Sequence, residues 1–301
     1  MPVTPLFRYI DHTLKRIRLM RHYAVEPFLV FDGGPLPAKT GTEAERERRV
    51  NSSTAYEKYR LTFFRKREEA KDKAQAFARQ GRHSEAREQY TKCLDISPQL
   101  AFQLIKVCLQ HLPDLLSADL CAQALRAENV QYIVAPYEAD AQLVHLERIG
   151  IVDGIITEDS DLLVFGAQNV FFKFDIDGSC VHISRADFGK VRDVNLVGWT
   201  DVQFREMAIL SGCDYLPSIN GMGLKTSWKY LKKCKSVERV VRSLRLEGKK
   251  TIPHGYEDQF RMAVLPFLYQ RVYCPQAEKL VHLSPIPENE WDEEKERYVG
   301  S

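Results

Sequence analysis

Six carboxylates stand where chemistry could be done with them: Asp32, Glu138, Asp140, Asp159, Asp161 and Asp214. Asp32 closes the apolar run Phe28-Leu-Val-Phe. Glu138 and Asp140 follow Val130-Gln-Tyr-Ile-Val134 as a Glu-x-Asp pair, and Asp159 and Asp161 follow Gly154-Ile-Ile-Thr157 as an Asp-x-Asp pair. Carboxylates gathered at strand ends cannot all stay ionised without cations. Oxygen-only donors suit hard divalent ions, Mg²⁺ or Mn²⁺. Two such ions about 4 Å apart serve phosphodiester hydrolysis, one activating water and one stabilising the leaving oxygen. Taken singly, an acid after a strand is a helix cap or turn residue, and Asp159 is placed to cap a helix. The repeated paired spacing favours metal binding. The eight histidines show no ligand spacing, and His145 reads as packing or surface. No glycine-rich phosphate loop, Ser-His-Asp set or reactive-cysteine signature stands out.

These acids need elements that bring them together. Phe28–Asp32 reads as a buried strand, followed by a turn at Gly33-Gly34-Pro35. Glu43 to Lys106 is helical in pattern, with a turn at Gln80-Gly81. Val130–Val134 is a second strand, and Pro136 suits the first turn of a helix running through Ala141 to Ile149. Gly154–Thr157 and Val170–Phe174 are the third and fourth strands. Beyond Asp201 the pattern is helical: Val202–Leu210, Leu224–Cys234 and Ser236–Leu244. Alternating strands and helices predict an α/β fold with a mostly parallel sheet flanked by helices. In such sheets sites form at the carboxyl ends of the strands.

The chain has 301 residues, 44% hydrophobic and 28% charged, which suits a globular protein with a real core. No run approaches the roughly 20 apolar residues that span a bilayer. Met1 to Arg21 has five Arg/Lys and no continuous apolar core, so no secretory signal is expected. Seven cysteines without a C-x-x-C pair suit reduced intracellular thiols. The net charge of +2 conceals a cancellation. Lys39–Arg87 holds 14 basic and 8 acidic residues, Lys225–Lys250 holds 10 and 2, and Glu288–Arg297 holds six acids against two bases. The second block is too one-sided for an ordinary solvated helix face and predicts an anionic partner such as a phosphate backbone.

Longer motifs resemble one family. Val134-Ala-Pro-Tyr-Glu-Ala-Asp-Ala-Gln142, Ile155-Ile-Thr-Glu-Asp-Ser-Asp-Leu-Leu163, Leu210-Ser-Gly-Cys-Asp-Tyr215 and Gly221-Met-Gly223 are similar to the structure-specific 5′ nucleases, which include flap endonucleases and exonuclease 1. Gly81-Arg-His-Ser-Glu-Ala-Arg87 and Leu163-Val-Phe-Gly166 resemble the exonuclease 1 branch. The resemblance implies a PIN-like nuclease core with a helical arch and a helix–two-turn–helix DNA-binding cluster. It implies that Asp32, Glu138, Asp140, Asp159, Asp161 and Asp214 hold two Mg²⁺ ions, which Mn²⁺ can replace. Lys39 and Arg46 match a basic pair on a helix above the site that contacts the scissile phosphate. On chemistry alone the preferred reading of Arg46 is a surface ion pair with Glu43 or Glu47. Gly221 and Gly223 match amides that bind a DNA phosphate, and Lys225 and Lys229 continue a basic stripe. Ser211, Ser218 and Met222 stand where the family holds K⁺. The implied partner is DNA with a 5′ end, nick, gap or flap. The implied protein is a monomeric nuclear 5′–3′ exodeoxyribonuclease and 5′-flap endonuclease of repair or replication, with no membrane association.

The resemblance also divides the chain. Residues 1–49 are a remnant of the N-terminal nuclease region, and 50–128 are an arch with two inserts, Val50–Arg65 and Val107–Gln123. Residues 129–200 are the internal nuclease region, 201–250 the helix–two-turn–helix, and 251–301 the end of the core with an acidic tail. The inserts read as retained introns or as a genuinely enlarged arch. The family's first strand and its acid have no counterpart here, which leads us to expect poor folding or inactivity of this chain. Two alternatives follow: a catalytically impaired DNA-binding fragment, and a tetratricopeptide-like interaction module over Glu68–Gln99 (Ala76, Gly81, Ala86, Tyr90, Pro98).

Overall fold

The computed structural model describes residues 5–39, 69, 72–82, 85–86, 89, 130–287, 289 and 291–300. Arg46 and both inserts lie outside the described residues. The chain divides into two units, Met1–Pro27 with Glu43–Gln131, and Phe28–Thr42 with Tyr132–Ser301.

The first unit contains α1 (Pro5–His22), with basic Arg21 and His22 in its last turn, where the helix dipole favours them. Leu14 and Ile17, one turn apart, are buried. Residues 72–79 are also helical. The chain turns at Gln80 and Gly81, as the sequence predicts, with Gly81 at φ +73°. Ala74 and Ala86 are buried on either side.

The second unit is the α/β part. It contains β1 (Phe28–Phe31) and a 3-10 turn (Pro37–Lys39). After β2 (Gln131–Val134) come α2 (Ala139–Arg148), β3 (Ile155–Ile156), α3 (Asp161–Phe165), β4 (Asn169–Phe172) and β5 (Val181–Ser184). β1 pairs with β2, and the second sheet has the order β3-β4-β5. β3 and β4 run parallel with Ile155 opposite Val170; β4 and β5 are antiparallel with Val170 opposite Ile183. β1 is half-buried along its length rather than fully buried. The helix after β2 starts at Ala139, so Pro136 lies ahead of it rather than in its first turn.

A second 3-10 segment (Arg185–Lys190) leads to α4 (Asp201–Ser211), α5 (Leu224–Cys234), α6 (Val237–Glu247) and α7 (Tyr256–Tyr269). Thr200 and Gln203 form a capping box that starts α4. β6 (Arg271–Cys274) and β7 (Lys279–His282) form an antiparallel hairpin, and α8 (Glu293–Val299) ends the described chain. The C-terminal acids are built in. Asp292 caps α8 by accepting from the Lys295 amide at 2.9 Å, and Glu293, Glu294 and Glu296 occupy its first turn. Glu296 also pairs with Arg271 and accepts from the Trp291 indole at 2.6 Å. The core joins Ile155, Leu162, Phe165 and Val170 to Met207, Ile209, Leu210, Val240, Val241 and Phe267. Among the described residues no helix is long and apolar enough to cross a membrane.

Candidate active site

All six acids lie in the second unit, on the loops and helix starts that follow β1, β2, β3 and α4. The first contact is made by the backbone. The Gly33 amide donates to the Tyr137 carbonyl at 2.6 Å, and the Gly34 amide to the Pro136 carbonyl at 3.0 Å. A Cβ on Gly33 would lie 1.9 Å from the Ala135 oxygen, so only glycine lets the two loops meet. That closure carries Asp32 to the start of α2, where its Oδ1 accepts from the Ala139 amide at 2.8 Å. Glu138 precedes that helix and Asp140 lies in its first turn. After β3, Asp159 accepts from the Asp161 amide at 2.9 Å. The N-cap residues themselves are Glu138 and Ser160, but Asp32 and Asp159 each spend one carboxylate oxygen on the first amide of a helix.

Lys39, at the end of the 3-10 turn, places its ammonium among these acids. It pairs with Glu138 Oε1 and with Asp214 Oδ2, the latter at 3.1 Å. Burial alone would lower its pKa, but the two carboxylates raise it. The other Glu138 oxygen accepts from the Tyr215 hydroxyl at 2.5 Å. Burial first, and then Glu138, hold the Tyr215 phenol well above its ordinary value. Asp140 is pushed up to about 7 by burial, then by Asp159, Glu138 and Asp32, with Lys39 opposing. Asp161 is pushed up to about 6 by burial, then by Asp159 and Asp214, again with Lys39 opposing. The six acids thus act on one another through one local field. Even with Lys39 among them, the negative charge is in surplus.

That surplus is the chemistry of a divalent-metal donor set: oxygen donors only, in excess over the Lys39 ammonium among the described residues. The residues therefore fit Mg²⁺ in charge and donor type. Among the described residues no three acids, histidines or cysteines already converge as a ready coordination shell. Lys39 and Tyr215 each hold one oxygen of Glu138.

Sequence comparisons match the XPG N-terminal domain to residues 5–53 and the XPG I-region to residues 129–214, the stretch that carries five of the six acids. Exodeoxyribonuclease 1 of Schizosaccharomyces pombe is 40% identical over 294 residues, which cover 98% of this chain and 45% of that protein. The chain belongs to the XPG-like 5′ nuclease family. Exonuclease 1 of Arabidopsis thaliana is likewise 40% identical over 285 residues, 95% of this chain and 34% of the relative. This XPG-like chain thus spans less than half the length of these relatives. Its fold is that of the catalytic core of Rad2, solved in complex with DNA substrate, with a TM-score of 0.55 at 18% identity over 92% of this chain and 74% of that one.

In this XPG-like chain the turn between α4 and α5 is held from three sides. The Cys213 amide donates to the Leu216 carbonyl at 3.0 Å, and the Met222 amide to the Ile219 carbonyl at 2.8 Å. Lys250, from beyond α6, donates to the Asn220 and Gly221 carbonyls at 3.2 and 2.8 Å. Gly221 has φ +75°, and it and Gly223 are exposed. Lys225 and Lys229 lie one turn apart on α5, both exposed, and Lys225 pairs with Asp193 at 3.1 Å. Of the expected K⁺ residues, Ser211 donates its hydroxyl to the Ala208 carbonyl at 2.7 Å, Ser218 is exposed and the Met222 side chain is buried.

His145 is buried with Nε2 unpaired, and burial lowers its pKa. It is a packing residue, far down α2 from the acids. Two partners of the site went unread in the sequence. Tyr215 adjoins Asp214, so adjacency was its only signal. Lys250 is one lysine in a basic block, and nothing local marks it as the residue that reaches the turn.

Proposed function

We propose that the chain is a metal-dependent, structure-specific DNA nuclease, a 5′–3′ exodeoxyribonuclease with 5′-flap endonuclease activity. One observation carries this: six carboxylates from four separate chain segments gather around Lys39, and burial first, then the neighbouring acids, push Asp140 and Asp161 toward neutrality. Asp32, Glu138, Asp140, Asp159, Asp161 and Asp214 are the residues that would hold two Mg²⁺ ions. Bound there, the ions supply activation of water and stabilisation of the leaving oxygen. The protein's own part is binding and orientation. Lys39, released from Glu138 and Asp214, is within reach to neutralise the scissile phosphate, and Arg46 is its proposed companion. The amides at Gly221 and Gly223, with Lys225 and Lys229, grip the duplex backbone without reading sequence. Ser211, Ser218 and Met222 are the proposed K⁺ residues. Substrates are duplexes with a 5′ end, nick, gap or flap, and the setting is nuclear repair or replication.

The deciding experiment uses a labelled 5′-flap duplex and a recessed 5′ end, with Mg²⁺ and with chelator. Cleavage that needs Mg²⁺ and falls by about 10²-fold or more in Lys39→Met supports the proposal. A second reading is DNA binding without cleavage. It is favoured by the Lys39 ammonium, which already pairs with Glu138 and Asp214. Tight flap binding with no Mg²⁺-dependent product would establish it.

A further inference from the structure

The last described helix folds back onto the site. α8 packs against α7 and against the 3-10 turn Pro37–Lys39, which carries the ammonium among the acids. Leu36 and Ala38 are buried beside it, as are Val299 and Gly300. Gly300, just past α8, has φ +99°, a backbone conformation that residues with a Cβ rarely adopt. A methyl there would overlap the Tyr137 Cε2 atom and lie 2.5 Å from Cζ and 2.7 Å from Cδ2. The Gly300 backbone therefore rests directly on the Tyr137 ring.

Tyr137 is the residue before Glu138. Its carbonyl accepts from the Gly33 amide at 2.6 Å, so the loop after β1 fixes its backbone while Gly300 fixes its ring. The segment that supplies Gly300 is stitched together. Glu296 accepts from Arg271 Nε at 3.1 Å and from the Trp291 indole at 2.6 Å, with His282 Nε2 3.3 Å away. The same segment holds α2. Gln142, fully buried in the first turn of that helix, donates to the Tyr273 carbonyl and accepts from the Tyr273 amide, each at 2.8 Å. Residues 271–300 thus touch the scaffold of the acids at the Lys39 turn, at Tyr137 and at the start of α2.

We propose that Gly300 is a positioning residue for the acid cluster: seated on the Tyr137 ring, it sets where the Glu138 carboxylate stands relative to Asp140 and Lys39. The proposal rests on the reading of these acids as a metal site. Carbon atoms in contact stand about 3.5 Å apart or more, so a methyl at Gly300 drives the ring back by about 1 Å. Glu138 is the next residue, and Mg²⁺ demands near-ideal geometry with oxygens at about 2.0–2.1 Å. A displacement of that size exceeds what such a donor set tolerates.

The experiment compares Gly300→Ala, Tyr137→Leu and the double variant in the full chain. Calorimetric titration with Ca²⁺ reads metal affinity, the Mg²⁺ midpoint for cleavage of a 5′-flap duplex reads it in turnover, and NMR follows the Gly33 and Glu138 amides without metal. Each single variant is expected to weaken metal affinity by about tenfold, the usual cost of losing a residue that orients a ligand, and to shift both amides. The double variant is expected to be no weaker than Tyr137→Leu alone, because the added methyl no longer meets the ring. A lowered melting temperature with metal affinity unmoved overturns the proposal and leaves Gly300 a purely structural role. Additive losses in the double variant also overturn it, since the alanine would then act through its own backbone and not through the ring. Should Gly300→Ala not fold, Tyr137→Leu decides by the same two readouts. A parent chain that neither binds Ca²⁺ nor cleaves the flap defeats the nuclease reading instead. The metal-free amides then still decide the positioning: shifted in Gly300→Ala they uphold it, unmoved they overturn it.

Discussion

Tyr215 donates its hydroxyl to Glu138 Oε2 at 2.5 Å while Lys39 holds Oε1 of the same carboxylate. The tyrosine is buried and packed edge-on against Phe267, ring centroids 4.9 Å apart, so the hydroxyl has a fixed aim. In the proposed function Glu138 would hold a metal ion with the oxygen that Lys39 now occupies, the tyrosine bond keeping the carboxylate oriented.

Tyr215→Phe should therefore weaken Mg²⁺ binding by about tenfold, the usual cost of losing a residue that orients a ligand. Calorimetric titration with Ca²⁺ and the Mg²⁺ dependence of cleavage both measure it. Unchanged metal affinity with reduced stability would mean that the hydroxyl only packs.

Glu206, on α4, is pushed up to about 7 by burial and then by Glu238, with Arg205 opposing. Its folded pKa is raised, so its contribution to stability is full below about pH 4.5 and is lost as the pH rises through 7. Glu206→Gln should match the parent at pH 4.5 and exceed it at pH 8 by about 1–2 kcal/mol, the shift being discounted because the carboxylate is only half-buried. Urea midpoints at the two pH values give the comparison, and an equal gain at both would exclude the titration as the cause.

Gly33→Ala forces a methyl to within 1.9 Å of the Ala135 oxygen and 2.6 Å of the Pro136 oxygen, both backbone atoms. The loops must separate. The expected loss is about 3 kcal/mol, with Asp32 drawn off the Ala139 amide. Thermal melts report the first effect. The Ala139 amide shift reports the second.

Lys250→Met removes the ammonium from the Asn220 and Gly221 carbonyls. Affinity for duplex DNA should fall by roughly tenfold, the worth of one charge-assisted bond that fixes the turn, and Lys250→Arg should recover part of it. Fluorescence anisotropy with a labelled duplex measures both variants. Equal loss in methionine and arginine would point to the surrounding loop instead.

Much of this site was legible because its residues announce themselves locally. The pairs Glu138/Asp140 and Asp159/Asp161 each follow a short apolar run, and the basic pattern over Leu224–Cys234 fixed that helix to the residue. What escaped depended on distant partners. The helix expected from Pro136 begins at Ala139, whose amide is held by Asp32, 107 residues earlier. β6 alternates as a strand should but β7 does not, and the hairpin is brief and follows a helix, α7, that contains Pro266. A proline there argues against helix in any local reading, and burial of Phe260, Ala263 and Phe267 overrides it. The C-terminal acids read as a tail because Arg271, which receives Glu296, lies 25 residues away.

The helix α3 is only five residues long, yet both of its ends are pinned by charged side chains. Asp159 holds its first amide, and Arg185 and Arg148 hold the carbonyls of Leu163 and Phe165. So short a helix has almost no stability of its own. Where Asp161 points is decided from outside, by two arginines at the opposite end. Damage to either arginine should surface as an active-centre defect in a variant whose mutated residue never comes near the substrate.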